Sequence, residues 1–160
     1  MKWAIYIPVR PKAVQSVRAG AHNFFADPKT RKWKAQILPY IEAVCRGRRP
    51  TAMPLAVTQL IYMFACPKCM PDKVKYIVQN GGVVPYIGTC DITDNLAKGL
   101  IDTCAGHVFV NDKQIWRMCD VRKVYGKEDS MYIEFTETPD VLMADGTFGD
   151  GSDPSDRDLI

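Results

Sequence analysis

Four side chains within CDITDNLAKGLIDTCAGHVFVNDKQ, residues 90–114, have types and spacing suited to chemistry on a phosphate: Asp91, Asp94, Lys98 and Asp112. Carboxylate oxygens are the donors that hard divalent cations require. Leu96, Leu100, Ile101 and Cys104 stand at helical spacing before Gly106, so the pattern predicts a helix over about 95–104 with both earlier aspartates just before it and Lys98 one turn in. Asp112 falls in the turn beyond the following strand. If the helix packs back on that strand, Asp112 returns to the mouth of the helix start, and two or three carboxylates converge on magnesium, or on manganese in its place. Two such ions roughly 3.5–4 Å apart clamp a phosphodiester and activate the attacking water. Lys98 would then face the scissile phosphate. Each residue also has a plainer reading: Asp94 as a helix cap, Asp112 as a turn former, Lys98 as a surface lysine.

Other chemistries find less to work with. Cys66-Pro67-Lys68-Cys69 supplies half of a tetrahedral zinc site, which Cys90 or His107 would have to complete. Its proline-rich setting lacks the strand-to-helix context of a redox pair. Two histidines, His22 and His107, are too far apart for a histidine-based nuclease site. Neither a glycine-rich phosphate loop nor a Ser-His-Asp order occurs, so nucleotide hydrolysis and acyl transfer have no support.

The elements that must position these residues follow from local pattern. Lys2 to Val9 alternates as a strand with Trp3, Ile5 and Ile7 on one side. Residues 10–27 read as a loop bearing Arg10, Lys12, Arg18 and His22. Asp27 before Pro28 is a helix start, and Trp33, Ile37, Ile41 and Val44 form the buried stripe of a helix to about Cys45, with Pro39 a kink. Lys29, Lys32 and Lys34 crowd its first turns against the helix dipole, which suggests an anion nearby. Leu55–Ala65 reads as a buried strand, residues 67–88 as a long irregular connection, and 108–110, 114–125 and 131–136 as an antiparallel meander. The expected fold is α/β (α+β), one domain with a mixed β-sheet and helices packed on it.

At 160 residues the chain suits a single domain, and 47% hydrophobic with 24% charged residues is ordinary globular composition. Its net +3 conceals a division: residues 1–139 hold 20 of 21 Lys and Arg but 12 of 18 Asp and Glu, a net +8, whereas 140–160 carry −5. A basic body suits a polyphosphate partner; residues 140–160 are expected to be a disordered acidic tail. Apolar runs are too short for a membrane span, and the start lacks a signal peptide's pattern, so a cytoplasmic protein with reduced cysteines is expected.

The string Asp94-Asn95-Leu96-Ala97-Lys98, then Asp102, then Asn111-Asp112-Lys113-Gln114 resembles the RusA-type Holliday-junction resolvases, whose pattern is D-x-D-N-L-x-K, a helix Asp and a D-D-x-Q turn. The likeness extends to Pro11-Lys12, Asp27-Pro28-Lys29 and Arg122-Lys123-Val124-Tyr125-Gly126, over residues 5–136. It implies a homodimeric, magnesium-dependent endonuclease that binds four-way DNA junctions and cuts two opposed strands symmetrically, with Asp94 and Asp112 holding metal and Lys98 assisting at the phosphate. Arg10, Lys12, Arg18, Lys29, Lys32 and Lys34 are the expected DNA contacts. Two positions depart from the pattern. The family's first aspartate lies two before the second, where this chain has Ile92; Asp91 is three before, and an extra residue or bulge would bring it to the metal. Asn111 replaces the first acid of the D-D turn. The rival reading is a DNA-binding module that does not cut, with zinc at Cys66 and Cys69.

Overall fold

The computed structural model describes residues 1–14, 18–19, 24–25, 27–88, 92–141, 143–147 and 149–152, with only the backbone of 18–19, 24–25 and 93–95. The first strand, β1 (Lys2–Ile7), buries Trp3, Ile5 and Ile7 and exposes the residues between them. After two short strands, β2 (Arg18–Ala19) and β3 (Phe24–Phe25), comes α1 (Pro28–Cys45). Asp27 caps it by accepting from the Lys29 N–H at 3.1 Å, with Pro28 in the first turn. The helix continues through Pro39 and buries Trp33, Ile37 and Ile41.

The remaining strands are β4 (Leu55–Ala65), β5 (Val84–Pro85), β6 (Ile115–Gly126) and β7 (Ser130–Glu137), and the five-stranded sheet runs β1-β7-β4-β6-β5. β4 pairs with β6 in parallel and with β7 antiparallel. The expected meander is therefore corrected: β6 and β7 follow each other in sequence but flank β4. Periodicity identifies strands without naming their neighbours, and the long apolar β4 is the central strand because both its edges are covered. The short link between β6 and β7 crosses the end of β4, where the Cys66 N–H donates to Gly126 O at 3.0 Å and the Ala65 N–H to Asp129 Oδ1 at 2.9 Å. The ladder slips between Val57 and Gln59, so the inward set changes from Leu55 and Val57 to Leu60, Tyr62 and Phe64.

Two further expectations change. The connection over 67–88 contains a helix, α2 (Asp72–Gln79), and β5. Val78 is its one buried residue, so a short helix with a thin apolar face left little trace in the pattern. Residues 108–110 form no strand; Phe109 makes isolated bridges to Thr51 and Ala105. The core lies on one sheet face, where Trp3, Ile5, Leu60, Ile133 and Phe135 meet Trp33, Ile37 and Ile41 of α1 and Leu96, Leu100 and Cys104. Past β7 the segment from Asp140, expected to be a disordered tail, enters through hydrogen-bonded turns, with Gly149 N–H donating to Val141 O and Asp145 accepting from Thr147. Residues 153–160 lie outside the described ones. Among the described residues no helix is long and apolar enough to cross a membrane.

Candidate active site and nucleic-acid interface

The helix predicted from Asn95 is built in two parts. Ile92–Ala97 is a π-helical turn that carries Asp94 and Asn95, and α3 (Lys98–Cys104) continues it. A π-turn takes up one residue more than an α-turn, and such turns recur at functional sites. The extra residue falls where the sequence has one residue too many between Asp91 and Asp94. Asp91 and the side chains of Asp94 and Asn95 lie outside the described residues.

Gly99 fixes where this helix sits. A Cβ there would stand 2.4 Å from Val14 Cγ2 and 3.4 Å from Trp33 Cζ3, so only glycine lets the helix approach the segment after β1 this closely. That segment is further held by the Trp33 Nε1–H, which donates to Arg10 O at 2.9 Å. The head of α3 thus lies against the basic loop that carries Arg10 and Lys12. Lys98, next to Gly99, is exposed and makes no ion pair with the described residues. Asp102 pairs with Lys34 at 3.6 Å and ties α3 to α1.

Asp112 opens a 3-10 turn, Asp112–Gln114, immediately before β6. Asn111 caps the turn: its Oδ1 accepts from the Lys113 N–H at 3.0 Å, and its own N–H donates to Gln114 Oε1 at 2.7 Å. The Gln114 amide then donates to Thr51 O at 2.9 Å and Met53 O at 2.8 Å. An amide serves the cap as well as a carboxylate would. Asp112 itself is exposed and free of ion pairs among the described residues, so its oxygens are open to a cation. Among the described residues no three His, Cys, Asp or Glu side chains gather closely enough to hold a metal.

The expected DNA contacts are placed unevenly. Arg10 pairs with Asp129 at 3.6 Å and Lys12 with Asp27 at 3.5 Å. The Lys29 N–H, reinforced by the Lys12 charge, holds the Asp27 carboxyl below its ordinary pKa. Lys29 and Lys32 are exposed on the first turns of α1, Lys34 is engaged with Asp102, and the Arg18 side chain lies outside the described residues. Because β7 runs antiparallel to both β1 and β4, and β6 runs parallel to β4, the carboxyl ends of β1, β4 and β6 leave the sheet at one edge. That edge gathers Arg10 and Lys12 with Lys68 and Lys127, two cations the sequence reading passed over because they stand far apart along the chain.

Cys66 and Cys69 are free thiols at this edge, whereas His107 follows the tail of α3, where its N–H donates to Cys104 O. Cys90 lies outside the described residues. Buried Cys45 and Cys104 have their thiol pKa values pushed up by burial, which suits packing and not nucleophilic work.

The pattern of the endodeoxyribonuclease RusA family matches residues 7–136. The chain belongs to the RusA family. The matched span runs from the end of β1 to the last turns of β7 and includes the basic loop, the π-turn, Lys98 and the capped turn at Asp112. RusA proteins are endodeoxyribonucleases, so the family supplies a DNA phosphodiester as substrate and internal cleavage as reaction. No curated protein matches the chain.

Proposed function

We propose that the chain resolves four-way DNA junctions, acting as a homodimer that nicks two opposed strands symmetrically with magnesium, or manganese in its place. The observation that carries this reading is the close packing at Gly99, which sets the head of the Asp94–Lys98 helix against the basic loop. Phosphate-holding cations then stand beside Lys98 at the head of that helix, while Asp112 lies at the amino end of β6.

The donor set fits a hard cation. Asp94 and Asp112 offer oxygen only, and Asp112 is exposed and unpaired among the described residues. The one-residue excess taken up by the π-turn favours Asp91 as a third ligand. The metal, when bound, supplies a water of lowered pKa and a counter-charge for the phosphate oxygens. Lys98 adds positive charge where negative charge builds on the phosphate. Arg10, Lys12, Arg18, Lys29 and Lys32 hold the DNA backbone and position the strand; Lys34 joins them when DNA draws it from Asp102.

A two-fold pair is supported by the open edge of β6. β5 pairs with Val124 and Tyr125, and among the described residues no strand pairs with 115–122 on that side, where Trp116 and Met118 are exposed. Open strand edges with apolar side chains invite a second strand. An isologous dimer presents two identical sites to two strands of a junction.

The test is cleavage of a synthetic four-way junction and of a linear duplex with the same arm sequences, with and without magnesium. Paired nicks at symmetric positions in the junction, dependent on the ion, are expected. Equal cutting of the linear duplex, or no cutting with any divalent ion, would overturn the reading.

A further inference from the structure

At the carboxyl edge of the sheet, on the far end of β6 from Asp112, Lys68, Lys75 and Lys127 surround a cavity of about 460 Å³ together with Cys66, Val78 and Gln79. Three different elements supply the cations: the turn after β4, the helix α2 and the link between β6 and β7. Lys75 is held by Asp72 at 3.1 Å. Lys68 and Lys127 make no ion pair with the described residues, unlike Lys2, Lys12 and Lys34, which each have a carboxylate. Holding unpaired ammonium groups around one hollow costs repulsion, which an anion would relieve.

We propose that this hollow is a second DNA-backbone site, in which Lys68 and Lys127 grip a phosphodiester of a duplex arm away from the point of cutting. The proposal rests on the DNA-cutting reading above and extends its footprint. Three features favour the DNA backbone as occupant. The cavity is open to solvent and lies in the same edge as Arg10, whose partner Asp129 belongs to the same link as Lys127. Three lysines are the charged groups of its lining, beside Gln79 and the Cys66 thiol, which suits a phosphate. The lysines are flexible point charges, suited to a backbone that passes by. A branched substrate also has arms that extend beyond one active site, so a distant grip adds affinity for the branch without touching the chemistry.

The test compares the full-length parent, K68Q/K127Q, and a charge-matched R46Q/R49Q control. The control removes two exposed cations from the loop after α1, at the opposite edge near Lys2. Binding of a four-way junction is measured over a range of salt without divalent ions. Loss of two phosphate contacts lowers the slope of log K against log salt by about 1.8 and weakens low-salt binding by roughly tenfold or more. The R46Q/R49Q control should lose clearly less. As a second readout, junction DNA should slow alkylation of Cys66, which lines the cavity, in the parent but not in K68Q/K127Q at equal free DNA. Unchanged slope and affinity in K68Q/K127Q, or a loss no greater than the control's, overturns the site while leaving the nuclease reading standing. A parent that binds no DNA overturns both.

Discussion

Gln114 shows how a single side chain sets a catalytic candidate in place. Its amide joins the turn at Asp112 to the carbonyls of Thr51 and Met53 while its oxygen closes the cap on Asn111. Gln114→Leu leaves those groups unpaired, so a loss of roughly 1–3 kcal/mol in denaturant-measured stability is expected, together with slower cleavage as Asp112 loses its seat. Parent-like stability and rate would show that the latch is dispensable. At acid pH a different residue comes into play. Lys2, with Thr58 and Tyr132, holds Glu134 below the ordinary glutamate value of 4.5. A carboxylate with a depressed folded pKa contributes stability above its unfolded pKa and loses it as pH falls through the folded one. Melting temperature should therefore drop below about pH 4.5, and Glu134→Gln should flatten that drop; an equally steep fall in the variant would place the cause elsewhere.

At the scale of elements, the close approach of α3 is the most exposed to disruption. Gly99→Ala drives a methyl into Val14 Cγ2, and overpacking of this kind costs about 1–3 kcal/mol. Cleavage should fall further than DNA binding, because the shift moves Lys98 and the π-turn while the lysines of α1 remain. A variant as stable and active as the parent would mean that the loop yields freely. The same elements show what the chain discloses in one dimension. Asp27-Pro28 announces α1 because the capping chemistry is local, and the apolar run 55–65 announces β4 because burial needs it. The pairing of β4 between β6 and β7 is non-local and leaves no periodic mark. Asp94, Lys98 and Asp112 stand out by type and spacing, but the π-turn shows in sequence only as one residue too many. Lys68 and Lys127 become neighbours only once the sheet is assembled.

For the whole molecule, charge is the organising quantity. A body of net +8 carries a terminal segment of −5, and Arg10, Lys12, Lys68 and Lys127 gather at the edge where β1, β4 and β6 end. Deleting residues 140–160 should tighten DNA binding at low ionic strength, with the gain fading as salt screens the interaction; equal affinity at low salt would dismiss that competition. The central claim is that the aspartates hold the ion that cuts, while other residues hold the DNA. The direct measurement pairs junction binding without metal and junction cleavage with magnesium for Asp94→Asn and Asp112→Asn, beside Asp91→Asn and Lys98→Ala. Asp94→Asn and Asp112→Asn should bind at least as tightly as the parent, since negative charge leaves the interface, yet cut at least about a hundredfold more slowly. Lys98→Ala should also cut slowly, and Asp91→Asn should match Asp94→Asn if the π-turn brings it to the metal. Cleavage at the parent's rate by both Asp94→Asn and Asp112→Asn would contradict the account.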